Sequence, residues 1–321
     1  MRARMMAVGT VLGVMATLAG CGSDDQDASS EGLDATTVTV GTLRGQPHFY
    51  APFLYGDHED EGVTYEVVTL DTAPALNDAL MSGQVDFAVG SITATIAGAA
   101  QGRDIKVVAA AADGGSGFVG SEAVPTLEDL AGKKVGYLAS SSQYVAMQLT
   151  LEAAGVDVDS FELVSLTAPE FFNAFNTGQI DAFAAPEIGV SLALANGGHE
   201  LISLYDTEIG KVNIGLLTTQ TLIEENPELV QAVVDTHAAT TEYMAGSIDE
   251  WLPEMVAEYG AEQATLEHAM ENFWLRADLA PSYQQQIDNL AEQMVRLGMI
   301  EEAPAEPVYD ASFASQDEPT A

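Results

Sequence analysis

Cysteine occurs once in the 321 residues, at Cys21. A single thiol excludes an internal disulfide and a cysteine-built zinc site. Basic side chains are scarce too: 10 Lys and Arg stand against 49 Asp and Glu, a formal net charge of −39. That balance excludes nucleic acid and anionic membrane surfaces as partners. The five histidines, at 48, 58, 199, 237 and 268, lack any H-x3-H or HExxH spacing, which leaves a metal site without support. Gly114-Gly115-Ser116-Gly117 is not a phosphate loop, because Lys133-Lys134 follows only a single glycine. Nor is Ser116 a nucleophile elbow, since Phe118 stands where the second glycine belongs. Carboxylates are so numerous that no catalytic pair stands out. No enzymatic machinery is visible, and no cofactor is implied.

The place of the lone cysteine is informative. Arg2 and Arg4 form a basic start, and Met5 to Leu18 is a largely apolar run without charge. This is the pattern of a secretory leader and is too short for a comfortable membrane span. Leu18-Ala19-Gly20-Cys21 reads as a lipobox, so residues 1–20 are expected to be a lipoprotein signal peptide and Cys21 the lipidated residue. Residues 22–37, rich in Ser, Asp, Gly and Ala, read as a flexible tether. The protein is then secreted and held by acyl chains at the outer face of the cell membrane, or in a periplasm. The acids are dispersed along predicted helices, the pattern of a solvated surface, and a monomer is expected.

From residue 38 onward short runs of β-formers alternate with short helices. Strands are predicted at Val38–Thr42, Val63–Leu70, Val85–Val89 and Ile105–Ala112, with helices near 74–81 and 93–100. Such alternation predicts a parallel-rich α/β sheet. A self-comparison adds a second unit. "VTLDTAPALNDALMSGQVD" (68–86) and "VSLTAPEFFNAFNTGQID" (164–181) share Thr-Ala-Pro before a helix and Gly-Gln-(Val/Ile)-Asp after it. The Pro suits a first helical turn and the Gly a helix stop. Two related lobes are therefore expected: residues 38–120 and, after a Gly-rich connector at 114–125, residues 121–212. The second lobe opens with a strand at 134–138 and a helix at 143–154. A second connector, 207–219, returns the chain, and 213–321 hold C-terminal helices packing on the first lobe, followed by a disordered tail. Those helices are predicted at 227–244, 247–259, 264–273 and 283–297.

Ligands of parallel sheets gather beyond the C-terminal ends of strands. Four loops hold such places here: Gln46-Pro47-His48, Gly90-Ser91-Ile92-Thr93, Ala139 to Tyr144, and Ala185-Pro186-Glu187. "ASSSQY" at 139–144 follows a strand and starts a helix, where one serine suffices for capping. The remaining hydroxyls, Gln143 and the helix-start N–H groups suit an anion or an electronegative ligand edge. If two lobes face each other, these loops converge on one cleft. Glu187 reads equally as an exposed loop acid or as a cleft residue facing Ser140–Ser142, where it would take an amine. Arg44 is a possible anion partner or a plain surface residue.

Several runs together resemble the substrate-binding components of ABC importers, in the group with nitrate, sulfonate, taurine and pyrimidine-precursor binders. They are "PALNDALMSGQVDF" (74–87), "DIKVVA" (104–109), "LEDLAGKKVG" (127–136), "SSSQY" (140–144), "NPELV" (226–230) and "LGMI" (297–300). The resemblance spans roughly residues 37–313. It implies a bilobal type II periplasmic-binding-protein fold with a hinged cleft. By position it places Gln46, His48, Ser91, Thr93, Ser140, Ser141, Ser142, Gln143 and Glu187 along that cleft, with Asn213 at the return crossing. It also implies a permease and an ATPase as partners and a small polar solute as ligand. Many relatives carry Gly-Asp-x-Pro at 90–93 and aromatics around 186–189, which this chain lacks. A flat heterocycle would then rely on Phe49, Tyr50 or Tyr144. Two other roles fit the scaffold: a sensory solute receptor, and an enzyme resembling thiamin-pyrimidine synthases, which work inside the cell.

Overall fold

The computed structural model describes residues 36–58, 62–259 and 262–318, which fall within one compact unit. The expected leader, Cys21 and most of the tether lie outside the described residues. Thr36 and Thr37, expected in the tether, already belong to the first strand.

In chain order the first lobe is built from β1 (Thr36–Thr42), α1 (Ala51–Leu54), β2 (Val63–Thr69), α2 (Ala73–Met81), β3 (Phe87–Ser91), α3 (Ile92–Ala100) and β4 (Ile105–Gly114). The chain then crosses into β5 (Ser116–Gly120), β6 (Lys134–Tyr137), α4 (Ser142–Ala153), β7 (Glu162–Ser165), α5 (Phe171–Asn176), β8 (Ala182–Pro186), α6 (Gly189–Ala195) and β9 (His199–Glu200). It returns through β10 (Ile214–Thr219), α7 (Gln220–Glu225), α8 (Pro227–Gly246), α9 (Ile248–Tyr259), α10 (Gln263–Met270), β11 (Phe273–Leu275) and α11 (Pro281–Arg296).

Two sheets result, ordered β2-β1-β3-β10-β4-β11 and β7-β6-β8-β5-β9. In the first, β1 runs parallel to β2 and β3. In the second, β6 runs parallel to β7 and β8. Each sheet takes one antiparallel strand that has just arrived from the other lobe: β10 lies between β3 and β4, and β5 between β8 and β9. Each expected connector therefore contains a strand. The first narrows to Gly114 and Gly115, both left-handed (φ 71° and 65°), a conformation that glycine adopts without a Cβ clash. Glycine frequency disguised β5 in the sequence. Its Gly117 and Gly120 are small because Val190 and Leu201 press on them, where a Cβ would come within 2.6 and 2.7 Å.

The internal repeat has a structural meaning. Asp86 Oδ2 accepts from the Thr39 amide at 2.8 Å, and Asp181 Oδ2 accepts from the Lys134 amide at 2.9 Å. In both lobes the repeated Asp ties the start of the third parallel strand to the first. Thr72 caps α2, and Thr167 forms a capping box with Glu170 ahead of α5. Gly83 and Gly178 end these helices at φ 69° each.

α8 buries Leu229, Val230, Val233, Val234 and His237 against the first sheet; each such aliphatic side chain contributes about 1.5–3 kcal/mol. His237 is held in one tautomer: Nε2 donates to Ala110 O at 2.8 Å, so Nδ1 accepts from Tyr55 Oη at 2.7 Å. α11 inserts Tyr283, Ile287, Leu290 and Met294 into a core shared by Ile96 of α3 and Val145 and Leu151 of α4, so it braces both lobes. Two further expectations are corrected. The helix predicted through Phe273 stops at Met270, because Phe273-Trp274-Leu275 pair with Gly114-Asp113-Ala112 as β11. As far as Glu318 the tail is not free. Val107 of β4 bonds on either side of Tyr309 to Val308 and Asp310, and Leu279 N donates to Ser315 O. β11 covers only the far end of β4, and the tail covers the edge left open near Val107.

Candidate functional site

The C-terminal ends of β1, β3, β4, β6 and β8 and the starts of β5 and β10 carry the candidate residues. Asn213 is central. Its carbonyl accepts from Ile92 N at 3.0 Å, its Nδ2 donates to Gly114 O at 2.7 Å, and its Oδ1 meets Ser142 Oγ at 3.5 Å. Next to it, Gln143 Nε2 donates to Ser116 Oγ at 2.9 Å. Ser142, Gln143 and Asn213 are all buried. A continuous polar network therefore runs from the α3 start, through the crossing strands, to the α4 start.

On the far side of Ser116 the network continues. Tyr205 Oη accepts from Ser116 N at 3.0 Å and presents its proton to Ser116 O and Asn272 Oδ1, at 2.9 and 2.7 Å. Burial drives the Tyr205 phenol well above its ordinary pKa, so it stays protonated. Asn272 Nδ2 donates to Ser116 O at 3.0 Å and to Glu187 Oε1 at 2.6 Å. Glu187 is only 5% exposed. Its other donors are Ser191 Oγ at 2.7 Å and Ile188 N at 3.2 Å. None of the ion pairs among the described residues includes Glu187. A buried carboxylate met only by neutral donors is costly, and a cationic partner would improve it. Ile188 is held at φ 70°, an outlier for a β-branched residue, the kind of strain that gathers at ligand clamps.

The remaining predicted residues divide. Ser141 is a cap: its Oγ accepts from Tyr144 N at 3.2 Å and donates to Leu138 O at 2.7 Å. Ser140 is exposed and left-handed at φ 56°. Ser91 caps α3 through Ala94 N and pairs with Ile214 across β3 and β10. Thr93 is fully buried, and its Oγ1 has no hydrogen-bond partner among the described residues. Gln46 precedes the 3-10 turn Pro47–Tyr50 without capping it. His48 is 1% exposed, with both ring nitrogens unpartnered among the described residues, its ring packed on Phe49 and Phe273 at 4.1 and 4.9 Å between centroids. Burial lowers its pKa to about 3, so the imidazole is neutral. Arg44 acts electrostatically on Tyr259. Tyr50 packs with Phe53, Trp251 and Tyr259, and Tyr144 with Tyr137.

Four participants escaped the sequence reading: Ser116, Tyr205, Asn272 and Phe273. Ser116 lay in what reads as a linker and Tyr205 in an unpatterned loop. Asn272-Phe273 closed what reads as a helix, although Phe-Trp-Leu is a β-favouring run that signals β11. Beside them Arg276 binds Asp113 and Asp278, at 2.5 Å each, and lies 4.2 Å over the Tyr283 ring. Burial pushes Asp113 up to about 6 while Arg276 pulls it back. Burial alone would lower the Arg276 pKa, but Asp278 and Asp113 outweigh it, so the guanidinium is firmly charged. Its Nε and Nη2 donate to Asp278 and its Nη1 to Asp113, so both carboxylates already neutralise it. A cavity of about 180 Å³ opens beside Glu187 and Asn272, with Glu200, His268 and Glu271 on its rim. Among the described residues no group of three or more His, Cys, Asp or Glu stands close enough to hold a metal ion.

A family model described as NMT1/THI5 like matches residues 56–250. A protein of Bacillus subtilis (strain 168), named for binding aliphatic sulfonates, is 24% identical over 229 residues, 68% of each chain. The alkanesulfonate-binding protein SsuA of Xanthomonas axonopodis pv. citri, bound to MOPS, superposes with a TM-score of 0.75 at 16% identity, covering 87% of this chain and 99% of that one. The periplasmic aliphatic sulphonate binding protein SsuA of Escherichia coli gives 0.74 at 17% identity, covering 89% and 94%. The fold is that of the bilobal periplasmic binding proteins, as the resemblance implied.

Proposed function

The chain belongs to the NMT1/THI5-like family, and on that premise we propose that it is the extracytoplasmic solute-binding component of an ABC importer. The observation that carries this reading is the polar network between the sheets. Ser142 and Glu187 from one lobe meet Asn213 and Asn272 from the other, and Gln143 bonds Ser116 beside them at the two-strand crossing. A small polar solute bridging those groups favours the closed lobes by its extra affinity for them. The relatives named for aliphatic sulfonates support a sulfonate head, and the neutral-donor shell of Glu187 supports an amino group at the other end. With Arg276 engaged by two carboxylates, the sulfonate rests on neutral donors: the α4 start, Gln143 and the N–H of the neutral His48 ring. The lipobox supports anchoring through Cys21, and the acidic surface supports a monomer that meets a permease and its ATPase. The chain carries out no reaction and takes no cofactor.

Thermal unfolding of the chain from Gly22 onward tests this reading, with taurine, alkanesulfonates, nitrate and hydroxymethylpyrimidine as the panel. A ligand at about 100 times its Kd adds about 2.7 kcal/mol, a rise of several degrees. The largest rise is expected with taurine, and a smaller one with ethanesulfonate. A transition that no compound moves overturns the reading.

A further inference from the structure

We propose that Asn272 is an intramolecular latch, whose carboxamide fills the hydrogen-bonding position on Glu187 and Ser116 that an entering solute must take. The inference rests on the solute-binding reading and deepens it by naming what the solute displaces.

Asn272 immediately precedes β11, a strand of the first sheet, yet all its side-chain bonds reach the crossing or the second lobe. They go to Ser116 O, Glu187 Oε1 and Tyr205 Oη. Its carbonyl also accepts from Gly115 N at 2.7 Å, at the point where the chain changes lobes. The neighbouring Phe273 presses its ring into the space that a Gly115 Cβ would occupy, 2.1 Å from that position. The same ring lies against His48.

Two buried groups are poorly served by this arrangement. Among the described residues Glu187 is a carboxylate whose only partners are neutral, and His48 has two ring nitrogens without any partner. Buried polar groups almost always find partners, so both belong to a site whose better occupant is something other than Asn272 and Phe273. Withdrawal of the short β11, tied to β4 over three residues, would free Glu187 Oε1 and Ser116 O together and uncover His48. The 180 Å³ cavity adjoining Asn272 gives its side chain room to move. Asn272 is thus a positioning residue for closure, and a solute with an N–H donor competes with it directly.

Interlobe distance in solute-free protein tests the latch without reference to any ligand. The chain from Gly22 onward contains no cysteine. Spin labels can therefore be placed at the exposed, repeat-related positions Gln84→Cys and Gln179→Cys and read by pulsed electron resonance. With Asn272 intact, a short-distance population is expected to dominate. Asn272→Ala should raise the ratio of long to short distances about tenfold or more, the weight of a hydrogen bond to a charged group. Asn272→Asp should open the lobes at about pH 8 and let them close at about pH 5.5. Two carboxylates forced together share a proton in that range, and a merely structural role gives no such reversal. If a variant loses its cooperative melt, Tyr205→Phe removes one bond to Asn272 and is read the same way. Distance distributions unchanged in Asn272→Ala and Asn272→Asp at about pH 8 overturn the latch. Failure of the ligand panel alone leaves this result standing and overturns only the solute reading.

Discussion

Glu187 Oε1 and Asn272 Nδ2 lie 2.6 Å apart although 85 residues separate them and they sit at the ends of different sheets. This bond is where the fold becomes a device. The two lobes share cores and a bracing helix, but here one lobe's carboxylate is answered by the other lobe's amide. Replacing Glu187 by Gln keeps the shape and removes the charge. It should weaken an amine-bearing solute about tenfold or more, with little effect on a plain alkanesulfonate. Competition between taurine and ethanesulfonate on Glu187→Gln measures this; equal losses for both would refute an amine on Glu187.

The repeated aspartates give a stability prediction. Asp86→Ala removes the side-chain acceptor of Thr39 N and should cost about 1–2 kcal/mol in urea unfolding. Asp181→Ala, in its more exposed setting, should cost less. Equal and negligible effects would mean that the repeat is ancestry without present mechanical use.

Gly83 and Gly115 have nearly the same φ, 69° and 65°, but different surroundings. A Cβ at Gly83 meets nothing within 4 Å, whereas one at Gly115 meets Phe273 at 2.1 Å. Gly83→Ala should therefore cost about 1 kcal/mol of backbone strain. Gly115→Ala should cost about 2–4 kcal/mol. Phe273→Ala in the Gly115→Ala background should recover part of the loss, a non-additivity that a double-mutant cycle reads directly.

Acid should destabilise the protein through two histidines. Burial lowers His48 to about 3 and His237 to about 4, the latter partly offset by its bond to Ala110 O. In the unfolded chain both titrate near 6.5. Above that value neither state is protonated and the contribution is intact. As pH falls from about 6.5 toward the folded values, the unfolded chain alone gains protons, so stability is lost, about 2 kcal/mol per histidine by pH 5. Asp113, raised to about 6 by burial, acts the other way over the same range and returns about 1 kcal/mol. Urea unfolding at pH 8 and pH 5 checks the sum, and His48→Phe should remove roughly half of the histidine part.

Much of the architecture is legible in the sequence because its signals are local. The alternation of β-formers with short helices, the Thr-Ala-Pro starts and the Gly stops each specify their element without distant help. β5, β10 and β11 are not legible in this way. Gly117 and Gly120 read as linker, and only the pressure of Val190 and Leu201 makes glycine the fitting strand residue there. Phe273 reads as the end of a helix until Gly114 and Asp113 are beside it. The site divides along the same line. Ser142, Gln143 and Glu187 stand next to recognisable strand ends, and Asn213 comes from the resemblance, at the return crossing. Ser116, Tyr205 and Asn272 enter through pairings that the chain completes across 27 to 156 residues. Ser141 shows a limit of motif reading: of three consecutive serines, one is consumed by capping.

The most direct measurement is a calorimetric titration of taurine into the chain from Gly22 onward, alongside Gln143→Ala, which removes a donor inside the interlobe network. One solute per chain is expected, with affinity about fivefold to tenfold weaker in Gln143→Ala. No heat from taurine, alkanesulfonates or pyrimidine precursors, or binding that Gln143→Ala and Glu187→Gln both leave unchanged, would contradict capture of a solute between these lobes.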